Sequence, residues 1–351
     1  MKPKKKNTGE IKALKVIDLD QVKQYIRNKG EEPNENNLLP YIESFRNEAE
    51  YMHILQGKNN YNENAVLIDE FFEHNNEMAI SMELCDTNLF DHLANKKDNL
   101  SSEEIYYILN QLNNSFEIMN KNGILHRALR IENILIKYEN NAKDKFIAKL
   151  KLTNDCCLKD SKLLPGKISD NRWIYAPEVL KGNNYTEESD LWSLGILIYL
   201  LSFKEYPFLG ENKEEVLSNI KNINLKGLKK TDNEALNDLI KNLLAIEPMN
   251  RLTLDQYFNH SFFTNNPAND YTKYYEIIKL IGQGTYGPVN LAKNRITGEK
   301  VAIKIINKDM LKDNKDLGYG ENIDIAITKE LKDEINIMKI IEGKNKEKKI
   351  Q

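Results

Sequence analysis

The sequence predicts an α+β fold, in which a strand-and-helix pattern near the start of the chain recurs near its end. The recurrence is the first observation behind this reading. TGEIKALKVI, from Thr8 to Ile17, returns as TGEKVAIKII, from Thr297 to Ile306. Each copy precedes a helix-like segment, RNEAEYMHIL (Arg46 to Leu55) or KDEINIMKII (Lys332 to Ile341). Two similar blocks in the same order mark one unit used twice. The second observation is the apolar alternation of YEIIKLIGQGTYGPVNLAK ahead of the later copy, which is the period of strands. The third is the helical signalling of the middle. SSEEIYYILNQLNNSFEIMNKNG opens on a Ser cap and early acids, carries apolar residues near helical spacing, and stops at Gly123.

The 351 residues suffice for one large domain or two smaller ones with an ordinary core. A net charge of −3 gives no basic field that would direct the chain to nucleic acid or a membrane surface. The longest apolar run, SLGILIYLLSF from Ser193 to Phe203, is shorter than the roughly 18 residues of a membrane span and reads as a buried helix. The lysine-rich ends (Lys2, Lys4, Lys5, Lys6 and Lys344, Lys346, Lys348, Lys349) read as solvated tails. Cys85, Cys156 and Cys157 have no His or Cys at metal-ligand spacing nearby. They are expected as plain thiols in a reducing compartment, and the location expected is intracellular, in the cytoplasm.

Gly282, Gly284 and Gly287 form G-x-G-x-x-G with Val289 two residues beyond. Alternation on both sides predicts a strand–turn–strand hairpin whose backbone N–H groups approach phosphate oxygens without side-chain obstruction. A dinucleotide-binding turn satisfies the same glycines but opens a helix. Here a second strand follows, and then VAIK, Val301 to Lys304, including Ala302. Lys304 is placed to neutralise the α/β-phosphates of ATP, and Glu334 on the next helix to pair with it. From Tyr274 to about Ile341 the segment resembles the N-lobe of a eukaryotic protein kinase.

The stretch from Lys15 to Phe263 resembles the rest of such a kinase, of serine/threonine type. Lys15 and Glu48 match the strand lysine and helix glutamate, so with the glycine-loop residues they form the cofactor-binding set the resemblance implies. MELCD, Met82 to Asp86, looks like the last N-lobe strand entering the hinge. ILHRALRIENILI stands against H-R-D-L-K-x-E-N: His126, Arg127, Leu129, Glu132 and Asn133 match, Arg130 replaces lysine, and Ala128 replaces the aspartate. That carboxylate orients the substrate hydroxyl and accepts its proton, and a methyl group does neither. Where the metal-binding D-F-G belongs stands Asn154-Asp155-Cys156. Asn133 and Asn154 are weak, uncharged candidates for Mg²⁺, and Asp155 is one residue out of register. Asp170 and Asn171 replace a Gly-Thr pair of the activation segment, in which Ser161 and Ser169 are plain surface serines. The scaffold residues survive: Glu178 and Arg251 match a structural ion pair, and Asp190 the brace of the catalytic loop.

The resemblance implies a protein-kinase-like bilobal fold, with a small antiparallel-sheet N-lobe, a mainly helical C-lobe and an extra C-terminal half N-lobe. The expected division is a kinase-like domain at 1–263 (partial N-lobe 8–84, C-lobe 86–263), a linker at 264–271, an N-lobe of a second kinase domain at 272–345, and a tail at 346–351. A truncated tandem kinase accounts for both ends. With Ala128 and Asn154 at the chemical positions, the expectation is a pseudokinase that regulates a protein partner or kinase domain in cis or in trans. The alternative is an active serine/threonine kinase, with a protein substrate and catalysis supplied by an assembled or longer chain. In that assembly the Tyr274–Ile306 strands pair with the Lys15 strand, whose edge is open. ATP and Mg²⁺ are the cofactors the family implies; no nucleic acid or membrane partner is expected.

Overall fold

In the computed structural model, residues 9–57, 62–94, 96–139, 142–153, 155–158, 172–223, 227–264, 275–284, 287–294 and 300–305 are described. KALKVID forms β1 (Lys12–Asp18), where alternation of Ala13, Lys15 and Ile17 sends one set of side chains to each face. The chain then turns into α1 (Leu19–Asn28), whose first turn is capped by the Asp18 carboxylate accepting from the Asp20 N–H. A capping box between Asn34 and Asn37 starts α2 (Glu35–Gln56), and Gly57, with φ 76°, ends it. Phe45, Ala49, Met52 and Leu55 are buried along α2. The Phe45 ring lies 6.2 Å from Phe71 of β2 (Ile68–His74). β3 (Glu77–Glu83) is the middle strand, giving the antiparallel order β1-β3-β2 with Lys15 opposite Ile80.

Beyond β3 the chain enters a helical body through β4 (Thr87–Asn88) and α3 (Leu89–Ala94). α4 (Ser102–Lys121) starts with a capping box from Ser101 and Glu104. It buries Ile105, Ile108, Leu109, Leu112, Phe116 and Met119 on a single face. β5 (Ile124–Leu125) leads to the loop containing Ala128, which closes in a 3₁₀ turn at Ile131–Asn133. The hairpin β6 (Ile134–Glu139) and β7 (Ala142–Leu150) joins β4 in a sheet ordered β4-β6-β7, while β8 (Cys157–Leu158) pairs with β5.

A short helix, α5 (Pro177–Leu180), precedes α6 (Glu187–Phe203), which is buried on nearly every face from Leu191 to Tyr199. SLGILIYLLSF is therefore the central core helix that its continuous apolarity predicts. Of the later helices, α8 (Glu234–Leu243) packs on it, while α7 (Lys213–Ile223) packs on α5, α9 (Leu254–Phe258) on α4, and α10 (Ser261–Thr264) on α8 and α4. The sheet lobe and helical lobe are the bilobal architecture that the resemblance implies.

Contacts divide the chain into two compact units, Met1–Asn265 and Asn266–Gln351. In the second, β9 (Tyr275–Gly284) and β11 (Lys300–Lys304) flank β10 (Gly287–Asn294), all antiparallel. β9 and β10 thus pair as antiparallel neighbours with Gly284 opposite Gly287, as the flanking alternation predicts. Gly287, at φ 145°, has a backbone that side-chain-bearing residues rarely adopt.

Candidate functional site

The site is built from the loop between β5 and β6. Asp190, in the first turn of α6, accepts the His126 N–H at 2.7 Å and the Arg127 N–H at 2.9 Å. It also accepts the Tyr185 O–H at 2.6 Å. Burial raises the Asp190 pKa, while those three donors oppose the rise by favouring its charge. Arg127 sits at φ 59°, a left-handed conformation that costs about 1–3 kcal/mol for an ordinary residue. The bonds that its own N–H and the His126 N–H donate to Asp190 hold it there. Its guanidinium lies 5.6 Å over the Tyr185 ring.

Ala128 follows, buried, with its N–H directed to His126 Nδ1 at 3.3 Å. Its carbonyl accepts the Asn133 amide N–H at 2.7 Å, which leaves the Asn133 amide oxygen as the acceptor. The loop scaffold is therefore intact around a position that offers a methyl group. Burial holds His126 at a pKa of about 4, so its imidazole is neutral at pH 7. Arg130 lies 3.8 Å from Glu132, and its Nε is buried without a hydrogen-bond partner.

Across the cleft, the Lys15 ammonium meets the Glu48 carboxylate at 2.5 Å and lies 5.4 Å over the Phe45 ring. β1 supplies the lysine and α2 the glutamate, whose side chain is fully buried. Burial raises the Glu48 pKa even against the Lys15 charge. Lys151, directly after β7, couples electrostatically to both residues and to Arg130; burial first, and then the Lys15 charge, lowers its pKa. Sequence reasoning assigned Lys151 nothing, because a single lysine ahead of a degenerate triplet carries no signal. Lys149 was also passed over, and it is a nearly fully buried ammonium held by Glu83 at 2.9 Å and the Glu63 carbonyl at 2.6 Å.

After Lys151 the chain closes a turn in which the Cys156 N–H donates to the Thr153 carbonyl at 3.0 Å. The buried Cys156 thiol donates to the His126 carbonyl at 3.2 Å, and burial raises its pKa. Asp155 is exposed in that turn, its carbonyl accepting from Arg127 at 3.4 Å. Asn154, Ser161, Ser169, Asp170, Asn171 and the 265–274 stretch lie outside the described residues. Further into the helical lobe, Arg251 grips Glu178 with two bonds, 2.7 and 2.8 Å, and stacks 5.0 Å over Trp192. Burial opposes the Glu178 charge, but the Arg251 bonds prevail and its pKa is lowered.

In the second unit the hairpin places Gly284 opposite Gly287, Val289 opposite both Gly282 and Lys304, and Ala302 opposite Leu291. A side chain at 282 would meet Val289 at 3.9 Å, ordinary contact distance. Glu334, expected to pair with Lys304, lies outside the described residues.

The described donor set fits a divalent cation poorly. Among the described residues no group of three or more His, Cys, Asp or Glu side chains is placed to hold a metal. Position 128 offers no carboxylate, and Asn133 offers one neutral oxygen, whereas Mg²⁺ relies on carboxylates and phosphate. A phosphate group fits better, because Lys15 stands pre-oriented by Glu48. Among the described residues, no helix is long and apolar enough to cross a membrane.

Comparison with known proteins agrees with this geometry. The family described as the protein kinase domain matches residues 1–263. Serine/threonine-protein kinase 33 of Bos taurus is 24% identical over 215 residues, covering 59% of this chain and 44% of that protein. Calcium-dependent protein kinase 4 of Plasmodium falciparum is 28% identical over 270 residues, covering 76% of this chain and 47% of that protein. Among solved structures, the twitchin kinase region from C. elegans superposes with a TM-score of 0.59 at 25% identity, covering 77% of this chain and 45% of that one. The chain thus spans less than half the length of these relatives. With the loop, the strand–helix ion pair and the Glu178–Arg251 clamp all in place, the chain belongs to the protein kinase domain family.

Proposed function

We propose that this chain is a non-catalytic, kinase-fold regulatory scaffold in a tandem arrangement, acting on a protein partner that carries a kinase domain in cis or in trans. The observation that carries the reading is Ala128. The loop around it keeps its braces to Asp190 and Asn133, yet the position that accepts the substrate proton holds a methyl group. Losing a general base costs about 10²–10⁴-fold in rate. Asn154 in the metal position compounds the loss by removing a charge from the cation site. The edge of β1, where Val16 is 48% exposed, supplies a surface for strand addition by such a partner. The glycine-rich hairpin at Gly282–Gly287, with Lys304, supports an ATP-binding-type loop in the C-terminal segment.

The alternative, an active serine/threonine protein kinase, draws on the preserved Lys15–Glu48 pair and the Asn133 orientation. One assay separates the two. Phosphotransfer to a protein acceptor is measured with Mg²⁺ and with Mn²⁺ for the wild type and for the Ala128→Asp/Asn154→Asp double variant. The scaffold reading expects no turnover from the wild type and a gain from the variant. Clear wild-type turnover ends it.

A further inference from the structure

β1 and β11 belong to the two similar blocks of the chain, so that IKALK, Ile11 to Lys15, corresponds to KVAIK, Lys300 to Lys304. In the second unit β11 lies against β10, with Val289 opposite Lys304, Leu291 opposite Ala302 and Lys293 opposite Lys300. In the first unit β1 ends its sheet and, among the described residues, pairs with β3 alone. A strand that pairs with β11 therefore finds a similar strand in β1, with one edge to spare. Carried over residue by residue, the register sets Val289 opposite Lys15, Leu291 opposite Ala13 and Lys293 opposite Ile11. One pair improves in the transfer. Lys293 opposite Lys300 sets like charges directly across a ladder, which is destabilising, and Ile11 in place of Lys300 removes that repulsion.

Two apolar surfaces accompany these strands. Val16, exposed on β1, opens onto a groove of about 340 Å³ lined also by Ile17, Val22, Tyr25 and Tyr41. β9, the other neighbour of β10, exposes Ile278, Leu280 and Ile281. Exchanging β11 for β1 leaves the number of ladder hydrogen bonds unchanged, so the burial of apolar surface decides the balance. We propose that the β9–β10 hairpin of a second copy of this chain adds to the β1 edge, β10 taking β1 as its partner in place of β11 and the apolar face of the hairpin covering the groove. A second copy is the occupant because within one chain β10 stays with β11, and β1 with β3 alone. Each copy offers one edge and one hairpin, so two copies exchange them about a two-fold axis and the contact closes. The inference rests on the reading of the β1 edge as a strand-addition surface and names its partner, the chain itself.

The test measures the mass of the full chain by light scattering over a concentration series. Expected is a rise from 40.8 kDa to twice that value. Val16→Lys and Leu280→Lys alter exposed side chains, and each should weaken the dimer about tenfold or more. Leu209→Lys, an exposed change beyond α6, should leave it unchanged. Co-expressed Ala13→Cys and Leu291→Cys chains should be joined by a short bismaleimide. Phe72→Cys, on the far strand of the same sheet, should not be joined to Leu291→Cys. A monomeric mass at every concentration overturns the proposal, as does a dimer indifferent to both Val16→Lys and Leu280→Lys. A crosslink that forms only when both cysteines stand in one chain overturns the second copy as occupant. Equal crosslinking at position 72 overturns the register. Wild-type phosphotransfer would sink the scaffold reading by itself, whereas a chain that stays monomeric sinks only this proposal.

Discussion

The imidazole of His126 shows how much one buried side chain contributes. Burial takes its pKa from the ordinary 6.5 to about 4, so between those values the unfolded chain binds a proton that the folded chain refuses. Stability contributed by the neutral ring is complete above pH 6.5 and is lost as pH falls toward 4, about 3 kcal/mol in all. Urea unfolding at pH 7 and pH 5 should show a drop of about 2 kcal/mol, which the His126→Tyr variant lacks. Equal drops in both proteins would remove His126 as the source. Arg251 makes a second prediction. Arg251→Met strands the Glu178 carboxylate in a buried site, at a cost of about 3–5 kcal/mol measured by the same unfolding experiment. Both positions were legible as motif residues. Their energetic weight was not, because weight comes from burial, which neighbours distant in sequence create.

Helix α6 joins local pattern to packing. Its apolar run marks it as a core helix, but the reason for glycine at 195 emerges only when α8 is packed on it. A Cβ there would stand 2.9 Å from the Leu243 Cβ and 2.9 Å from Leu244 Cδ2. Gly195→Ala should therefore overpack the contact and cost about 1–3 kcal/mol, read as a lowered denaturant midpoint with an unchanged m-value. An unchanged midpoint would mean that α8 shifts freely. At this scale β1 and α2 were readable from the repeat and from helix signals. α1, by contrast, was not read from the sequence, although Leu19, Val22 and Ile26 stand at helical spacing. The turn at Thr153–Cys156 was equally hidden, being decided by a thiol seated on the His126 carbonyl.

Seen as a whole, the first unit carries one continuous apolar core from Phe45 to Phe263. Residues 1–265 produced alone should accordingly unfold in one cooperative transition by calorimetry, and two separated transitions would contradict this. In the second unit, Ile277, Ile278, Leu280 and Ile281 are each 40% exposed or more on β9. What the sequence by itself determined is chemical inventory: the similar blocks at Thr8–Ile17 and Thr297–Ile306, the spacing of Gly282, Gly284 and Gly287, the presence of Glu178, Asp190 and Arg251, and the alanine at position 128. These are properties of residue type and spacing, which need no folding to exist. Tertiary structure alone decided that Lys15 closes on Glu48, 33 positions away, and that Arg251 closes on Glu178, 73 positions away. The interaction of charges depends on distance and burial, and only the packed lobes set those.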